Sequence, residues 1–387
     1  MSEKKRVLIF STAYWPFVGG AEIAIREITD RLADRYDFEM LTAYLDAEGP
    51  SQERVGNVLV HRLGVRHLSK IWMAFLGFFK ILQLGRSRFD KSNRGSSIPT
   101  KSESGFDLFW CVQVSYASGP AYIYNILKFW KKVPIVLTLQ EGDSEEHLTK
   151  RHFGLIDLSW RLALTRTSVV TAISHYLKER ALKLGYKRQI HIIPNGFSDA
   201  FLNVQKQEHQ STVLITTSRL VEKNAVGDII EALNFLPESV KLLVVGDGYL
   251  RSDLENLVRR SDLGDRVKFV GFVDNKELPA LLGQADIFIR PSLSEGLGIS
   301  FLEAMAAGLP VIATRVGGIP DFLQDRVTGL FCEINNPESI AQKVVELIDR
   351  PELREKIVKN ARELVRSKFA WQSIASKMSE VFNGQIT

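Results

Sequence analysis

The chain has little cysteine and no long hydrophobic run. Cys111 and Cys332 are the only two cysteines among 387 residues, and neither lies in a CxxC motif. This disfavours a disulfide framework or a zinc site and favours a reducing compartment, the cytoplasm. Residues 71–79 (IWMAFLGFF) fall far short of the roughly 20 apolar residues that a membrane-spanning helix needs. The polar start through Arg6 predicts no signal peptide.

Length and composition predict two soluble globular domains. A chain of 387 residues exceeds what one hydrophobic core usually serves, and 45% hydrophobic residues are enough for ample cores. The polar segment at residues 205–211 is the predicted linker. We therefore place one domain at residues 1–204 and the other at 205–368, and we predict a C-terminal helix within residues 369–387.

Short apolar runs alternate with segments of helical spacing. The predicted strands are residues 7–10, 38–43, 58–63, 108–112, 135–139, 169–173, 191–193, 213–217, 242–245, 267–270, 287–289 and 311–313. This alternation is typical of parallel sheets with crossover helices, so the fold class is α/β with two Rossmann-like domains. Ligands of such sheets bind beyond the carboxyl ends of the strands.

Positive charge is concentrated in one region. Between residues 61 and 104 nine basic residues face two acidic ones, a balance of +7, so the rest of the chain carries −2 of the net +5. The segment 71–79 could lie on an anionic membrane surface and admit a lipid-linked acceptor. Alternatively, it is a helix packed on the first sheet, followed by a solvated loop at residues 86–101. No nucleic-acid recognition motif is present.

The stretch EGLGISFLEAMAAGLPVIAT, residues 295–314, carries two glutamates eight positions apart. Glu295 follows a predicted strand within a glycine-bearing loop, and Glu303 lies one turn into a helix that begins near Ser300. Glycines let a ligand approach the backbone, and the start of a helix favours an anion. Carboxylates accept hydrogen bonds from neighbouring hydroxyls. The pattern predicts a site for a phosphate flanked by polyols, although a lone glutamate is more often a surface residue.

Two cations follow another strand of the second half. Arg219 and Lys223 lie in the loop after residues 213–217, where they could bind a diphosphate and stabilise it as a leaving group. Either one alone is more often a solvated surface residue. Gly246 opens GDGYLRSDLE after the next strand, which is a weak signal by itself.

Together these motifs resemble the retaining glycosyltransferases of family 4, the glycosyl transferases group 1. The matching segments are Arg219 with Lys223, GDGYLRSDLE, the Glu295–Glu303 pair, EAMAAGLPVIAT, GGIPD (317–321), TGLF (328–331), GGAE (19–22), AIS (172–174) and IPNG (193–196). The resemblance covers nearly the whole chain and is more specific in the second half. It implies the GT-B fold, two Rossmann-like domains facing across a cleft, with the acceptor on the first domain and the donor on the second. It also implies that the C-terminal helix at residues 369–387 returns to pack on the first domain.

The resemblance also implies roles for individual residues. Glu303 would bind the ribose of a nucleotide-sugar, Glu295 the transferred sugar, and Arg219 with Lys223 the diphosphate. The implied donor-binding residues are Gly19, Gly20, Arg219, Lys223, Gly246, Phe272, Glu295, Gly296, Leu297, Gly298, Ile299 and Glu303, and the implied catalytic residues are Arg219, Lys223, Glu295 and Gln140. No metal or other cofactor is expected, because these groups would neutralise the leaving diphosphate.

The chain departs from the family pattern at three positions. Gln140 stands where a histidine is common, and glutamine can exchange hydrogen bonds but cannot carry a proton. Glu141 or Asp143 could compensate, or the departing phosphate itself could take the acceptor proton. Asp321 replaces a glutamate in GGxPE, and Asn224 follows Lys223 where glycine is common.

The expected activity is retaining transfer from a UDP- or GDP-linked sugar to a sugar or lipid-linked acceptor, in the cytoplasm or at the inner face of the membrane. Two alternatives stay open: a nucleotide-sugar epimerase or hydrolase, and a non-catalytic nucleotide-sugar-binding protein. Tyr116, His147, Lys150 and His152 are unranked acceptor-loop candidates. The sequence leaves the base, the sugar and the acceptor undetermined.

Overall fold

Parallel strands joined by crossover helices make up both halves of the chain. The computed structural model describes residues 4–17, 19–45, 50–64, 69–92, 105–142, 155–207 and 210–386, and only the backbone for 69–72, 86–92 and 155–157. Two units result, one of Met1–Glu141, Glu145–Pro194 and Gln372–Thr387 and the other of Gly142–Ser144 and Asn195–Trp371. The chain enters the second unit at Asn195, before the polar segment at 205–211.

The first unit is built on an eight-stranded sheet. Its strands are β1 Lys5–Phe10, β2 Tyr36–Ala43, β3 Gln52–Val55, β4 Val58–Leu63, β5 Leu108–Val112, β6 Ile135–Leu139, β7 Val169–Ala172 and β8 Ile190–Ile192. Its helices are α1 Gly20–Arg31, α2 Ser69–Ser92, α3 Gly119–Leu127, α4 Leu155–Arg166 and α5 His175–Lys183. The strand order is β3-β4-β2-β1-β5-β6-β7-β8, and only the β3–β4 pair is antiparallel among these described strands.

The second unit is built on a six-stranded sheet. Its strands are β9 Val213–Thr217, β10 Lys241–Val245, β11 Val267–Gly271, β12 Ile287–Arg290, β13 Val311–Thr314 and β14 Leu330–Cys332. Its helices are α6 Val226–Ala232, α7 Arg251–Arg260, α8 Leu278–Gly283, α9 Ile299–Ala306, α10 Pro337–Asp349 and α11 Pro351–Lys368. The order β11-β10-β9-β12-β13-β14 is parallel throughout.

Continuous apolar runs mark the strands because a parallel sheet is covered on both faces. All five residues of β5 (LFWCV) are buried, as are those of β6 (IVLTL). Each of the twelve predicted strands is confirmed within a few residues. The prediction missed β3 (QERV), a polar edge strand whose residues alternate in exposure, and β14, which has three residues. Cys111 and Cys332 are free and buried, as expected.

Helix α2 has one buried and one exposed side. Met73, Gly77 and Ile81 are buried, whereas Phe75 and Phe79 are exposed. The helix continues to Ser92, so a loop beginning at residue 86 is wrong for residues 86–92; residues 93–104 lie outside the described part. Within the described residues, no helix has both the length and the apolar content to cross a membrane.

The last helix, α12 Trp371–Asn383, packs on the first sheet from Gln372 onward. Ile374, Met378 and Phe382 are buried on one side of it, as their spacing predicts. The Phe382 ring lies edge-on to Trp110 of β5 at 5.4 Å and to Tyr36 of β2 at 5.5 Å between centroids. This helix therefore supplies core side chains to the first unit.

Replacing Phe382 by alanine should destabilise the first unit by about 3–5 kcal/mol, because a fully buried ring between two aromatic partners would be lost. Urea unfolding followed by near-UV circular dichroism measures the loss. Glu380→Ala, at an exposed position of the same helix, should change the free energy of unfolding by less than about 0.5 kcal/mol. Equal effects from the two variants would contradict the packing described for α12.

Candidate active site

The two glutamates of the predicted pair belong to the segment that runs from the end of β12 into α9. Glu295 lies in the loop, and Glu303 lies on α9 with 5% of its surface exposed. The predicted loop and helix are confirmed within one or two residues, because α9 spans Ile299–Ala306 and is followed by Gly308. The possibility that Glu303 is a surface residue is excluded by its burial.

Two glycines set the backbone of this loop. Gly298 has φ 90° at the N-cap of α9, and Gly317 has φ 53° in the loop after β13. Both lie in the left-handed region that side chains disfavour. A Cβ on Gly317 would lie 1.8 Å from the carbonyl oxygen of Glu295. The Gly318 N–H donates to that same oxygen at 3.1 Å, so the GGIPD loop holds the Glu295 backbone.

Arg290, which the sequence analysis did not assign to the site, is its central cation. Its side chain is buried at the end of β12 and forms an ion pair with the Glu295 carboxylate. Its other N–H groups donate to the hydroxyls of Ser292 at 3.1 Å and Ser300 at 2.5 Å, and its guanidinium lies 4.7 Å from the ring centroid of Phe301. The signal in the sequence was an arginine ending an otherwise apolar strand (IFIR).

Glu303 is held in an environment that disfavours its charge. Burial raises the pKa of the Glu303 carboxyl from 4.5 to about 7, although a hydrogen bond with Asn275 and the charge of Arg290 act in the opposite direction. Desolvation outweighs these two because a carboxylate loses most of its hydration inside a protein. Near neutral pH this carboxyl therefore has both protonation states available.

Lys223 lies next to the Glu295 loop, whereas Arg219, four residues earlier in the chain, is exposed. The Lys223 carbonyl accepts from the N–H of Leu293 at 2.7 Å. A Cβ built on Gly142, which clusters with this unit, would lie 3.5 Å from the Lys223 Nζ and 2.8 Å from the backbone nitrogen of Gly296. The structure thus brings the ammonium group close to the backbone of the glutamate loop.

Asn224, a departure from the family pattern, has a structural role. It is buried, and its side-chain Nδ2 donates to the Arg219 carbonyl at 2.7 Å. This bond closes the turn from Arg219 to Ala225, which itself has φ 48°. Asparagine here stabilises the loop that carries both cations.

The loops after β9, β10 and β11 are joined by backbone contacts. Gly246 has φ 129°, its N–H donates to the Gly271 carbonyl at 2.8 Å, and a Cβ there would lie 1.9 Å from the Ser218 carbonyl oxygen. Phe272 follows Gly271 and is one of the most exposed large apolar side chains described. Gly246 is thus required by packing, and Phe272 is available to a ligand.

In the first unit, Gly19 and Gly20 start α1. The Glu22 carboxylate accepts from the Gly19 N–H at 2.8 Å, so the glutamate of GGAE caps the helix. Both glycines are exposed at this helix start, where backbone N–H groups favour an anion.

Gln140 follows β6, as predicted, and Glu141 is engaged with the backbone. The Glu141 carboxylate accepts from the N–H groups of Val114 and Gln140, the latter at 2.9 Å. Burial raises the pKa of Glu141, and the two backbone bonds partly offset that effect. These bonds make Glu141 a poor substitute for the missing histidine. Asp143 lies outside the described residues.

The remaining predicted positions divide as follows. Gly296 and Leu297 are buried within the Glu295 loop, and Ile299 is the first residue of α9. Tyr116 begins a short turn after β5, whereas His147, Lys150 and His152 lie outside the described residues. Among the described residues, no three His, Cys, Asp or Glu side chains are grouped so as to hold a metal ion; the expectation of a metal-independent site remains a prediction.

Alanine at Gly317 should destabilise the protein more than alanine at a glycine where a Cβ would meet open space. Gly185 of the first unit, at φ 94° with open space around a Cβ, isolates the cost of the left-handed backbone, about 1–2 kcal/mol. Gly264 has open space and no positive φ, so Gly264→Ala should be nearly neutral. Gly317→Ala should lose a further 1–3 kcal/mol or so because the Glu295 carbonyl must move. Chemical unfolding of the three variants gives the order; similar values for Gly317 and Gly185 would contradict the contact.

The raised pKa of Glu303 predicts a specific pH dependence of stability. Between about pH 4.5 and 7 the unfolded chain loses this proton while the folded chain keeps it. The free energy of unfolding should therefore fall as pH rises through this window, by roughly 3 kcal/mol in total. Glu303→Gln should remove that component, so wild type minus variant is the quantity to measure by urea unfolding. Glu338→Gln, at an exposed position, serves as the control; a difference independent of pH would refute the raised pKa.

Comparisons with known proteins identify the family and the fold. The family model described as Glycosyltransferase Family 4 matches residues 18–201, and the one described as Glycosyl transferases group 1 matches residues 197–364. An uncharacterized glycosyltransferase of Methanocaldococcus jannaschii is 27% identical over 97% of both chains. The GDP-mannose-dependent alpha-(1-6)-phosphatidylinositol monomannoside mannosyltransferase of Mycobacterium tuberculosis is 31% identical over 56% of this chain and 62% of that protein.

Among solved structures, Anabaena HepE in complex with UDP and glucose superposes with a TM-score of 0.75 at 20% identity, over 98% of this chain and 100% of that one. At this identity the likeness establishes the fold. The two family models together span residues 18–364, which includes every described strand except β1 and also includes the Glu295–Glu303 pair. The chain therefore belongs to the family 4-like glycosyltransferases and has the GT-B fold.

Proposed function

We propose that this glycosyltransferase moves a sugar from a UDP- or GDP-linked donor to its acceptor with retention of the anomeric configuration. The observation that carries the proposal is the carboxylate pair, with Glu303 buried on α9 and Glu295 in the preceding loop. A buried carboxylate accepts strongly from paired hydroxyls, as on a ribose. Glu303 would bind the ribose and Glu295 the hydroxyls of the transferred sugar.

The diphosphate would lie between these groups and the cations of the β9 loop. Lys223 is next to the backbone of Gly296, and Arg219 lies on the same loop. The first turn of α9 adds backbone N–H groups and the positive end of its dipole. These groups stabilise negative charge as it develops on the departing diphosphate, so the reaction would need no metal ion.

Arg290 would act through Glu295. Its ion pair and its bonds to Ser292 and Ser300 fix the direction of the Glu295 carboxylate. One carboxylate oxygen of Glu295 is engaged by the guanidinium, which leaves the other available to sugar hydroxyls. Arg290 is therefore a positioning residue in this proposal.

A front-face mechanism of sugar transfer needs no protein base, and this agrees with the residues that follow β6. The bond from the anomeric carbon to the diphosphate oxygen breaks, the acceptor oxygen bonds to the same face, and its proton passes to the departing phosphate oxygen. The Gln140 side chain can supply hydrogen bonds only. The Glu141 carboxylate accepts from the backbone N–H groups of Val114 and Gln140. No protein base is then required at this position.

A lipid-linked or cell-envelope glycan acceptor is the class we favour. The mycobacterial relative is named for a phosphatidylinositol-linked acceptor and a GDP-mannose donor, and HepE was solved with UDP and glucose. Those names describe the other proteins. They support a search that begins with UDP and GDP donors and with lipid-linked acceptors.

The first experiment is thermal unfolding with UDP, GDP, ADP and their sugar conjugates. A ligand at 100 times its Kd stabilises by about 2.7 kcal/mol, which raises Tm measurably. One base should shift Tm, and Glu303→Ala should remove most of that shift because the ribose contact is lost. Glu338→Ala, an exposed carboxylate on α10, should retain it. If none of these ligands raised the Tm of the wild-type protein, the proposed donor site would be refuted.

Transfer is then measured with the stabilising donor, with and without EDTA, and the product anomer is read by NMR. Retention, with a rate unchanged by EDTA, is the expected result. Free sugar without an acceptor would point to a hydrolase, and an isomerised donor to an epimerase. Tight donor binding without turnover over a panel of acceptors would point to a binding protein.

A further inference from the structure

Helix α2 presents a stripe of large apolar side chains to solvent. Phe75, Leu76 and Phe79 are 60%, 40% and 65% exposed, while Met73 and Ile81 face the core. Residues three and four positions apart lie on one side of a helix. The exposed stripe is therefore a continuous face of α2 that nothing in the described part of the chain covers.

Helix α3 lies beside α2, and large apolar side chains are also exposed at its end. A Cβ on Gly77 of α2 would overlap Pro120 of α3, and the rings of Phe78 and Tyr124 are 6.4 Å apart between centroids. The exposed residues at the end of α3 and in the turn after it are Ile126, Leu127, Phe129 and Trp130. We call the seven exposed residues of the two elements the α2–α3 apolar surface.

The extent of this surface is unusual for a soluble chain. Phe129 and Trp130 are 67% and 58% exposed. With roughly 200 Å² for a fully exposed side chain of this size, the seven residues together leave on the order of 700 Å² of side chain exposed. The largest apolar patch on a typical monomer is about 300–600 Å², and larger patches mark interaction sites.

The charged residues within the two segments that form the surface have one sign. Lys80 of α2 and Lys128, Lys131 and Lys132 beside Trp130 are the nearby cations, whereas the sequence has no Asp or Glu within residues 69–89 or 108–140. The Lys128 Nζ lies 5.4 Å from the centroid of the Trp130 ring. Apolar and aromatic side chains bordered by lysines are typical of elements that lie in the plane of a membrane interface.

We propose that the α2–α3 apolar surface docks on an anionic lipid bilayer. Its aromatic side chains would enter the headgroup boundary, and the lysines would contact lipid phosphates. A second copy of this chain is a poorer occupant, because a two-fold contact would oppose lysines to lysines. The sequence analysis placed possible membrane contact in the basic region at residues 61–104. The proposed surface also includes the end of α3 and the turn after it.

This proposal does not depend on the donor site. The residues that carry it belong to the first unit, and the proposed function assigns none of them to binding the nucleotide-sugar. Vesicle binding can therefore be tested without substrates. The donor-induced rise in Tm, measured on the same variants, reports separately on the proposed function.

The test is flotation with vesicles of phosphatidylcholine, alone or with about one third phosphatidylglycerol. The wild-type chain should bind the anionic vesicles and be released by salt. Lys131→Glu with Lys132→Glu should lower the partition coefficient by on the order of 30-fold or more, because each basic residue near the surface contributes about fivefold. Phe129→Ser with Trp130→Ser should lower binding while leaving the donor-induced Tm shift unchanged.

Matched controls lie in the second unit. Lys356→Glu with Lys359→Glu makes the same charge change at exposed positions of α11, and Phe235→Ser removes a comparably exposed ring. These should bind like wild type. Failure of the wild-type chain to bind, equal binding to neutral vesicles, or equal losses in the controls would overturn the proposal. A concentration-dependent dimer that Trp130→Ser abolishes would assign the surface to a second copy instead.

Discussion

The contact between Gly317 and the carbonyl oxygen of Glu295 positions the loop on which the second unit's site depends. The GGIPD loop and the Glu295 loop approach closely enough that no side chain fits between them. Backbone bonds from Leu293 to Lys223 and from Gly318 to Glu295 join the loops after β9, β12 and β13. The peptide groups of these loops therefore fix the backbone positions from which the Glu295 and Lys223 side chains extend.

The same region holds charged side chains largely away from water, where an unpaired charge is energetically unfavourable. Arg290 and Glu295 neutralise each other at the end of β12, and this pairing makes their burial tolerable. Glu303 has only partial compensation from Asn275 and Arg290, and its pKa rises accordingly. Burial deprives the Glu303 carboxylate of hydrogen bonds from water. In the proposed reaction, the ribose hydroxyls would replace them. Functional sites often contain a buried ionisable group whose charge the protein alone compensates only in part.

Several polar residues that resemble catalytic candidates serve the backbone instead. Glu22 caps α1, Glu141 accepts from one N–H group after β5 and one after β6, and Asn224 closes the turn that carries Lys223. In a sequence these residues cannot be distinguished from acids and amides that contact a substrate. The difference lies in which donor is within reach, and that depends on how neighbouring strands are aligned.

The sequence by itself determined the two parallel sheets, the loop and helix around Glu295 and Glu303, and the family. Apolar runs, glycine positions and motif spacing are local properties, so twelve of the fourteen described strands could be predicted and only the polar β3 and the short β14 were missed. Only the tertiary structure revealed the pairing of Arg290 with Glu295, the burial of Glu303 and the exposed surface shared by α2 and α3. Each of these depends on which segments the sheet brings together, because burial and charge pairing are set by neighbours in space rather than by neighbours in the chain.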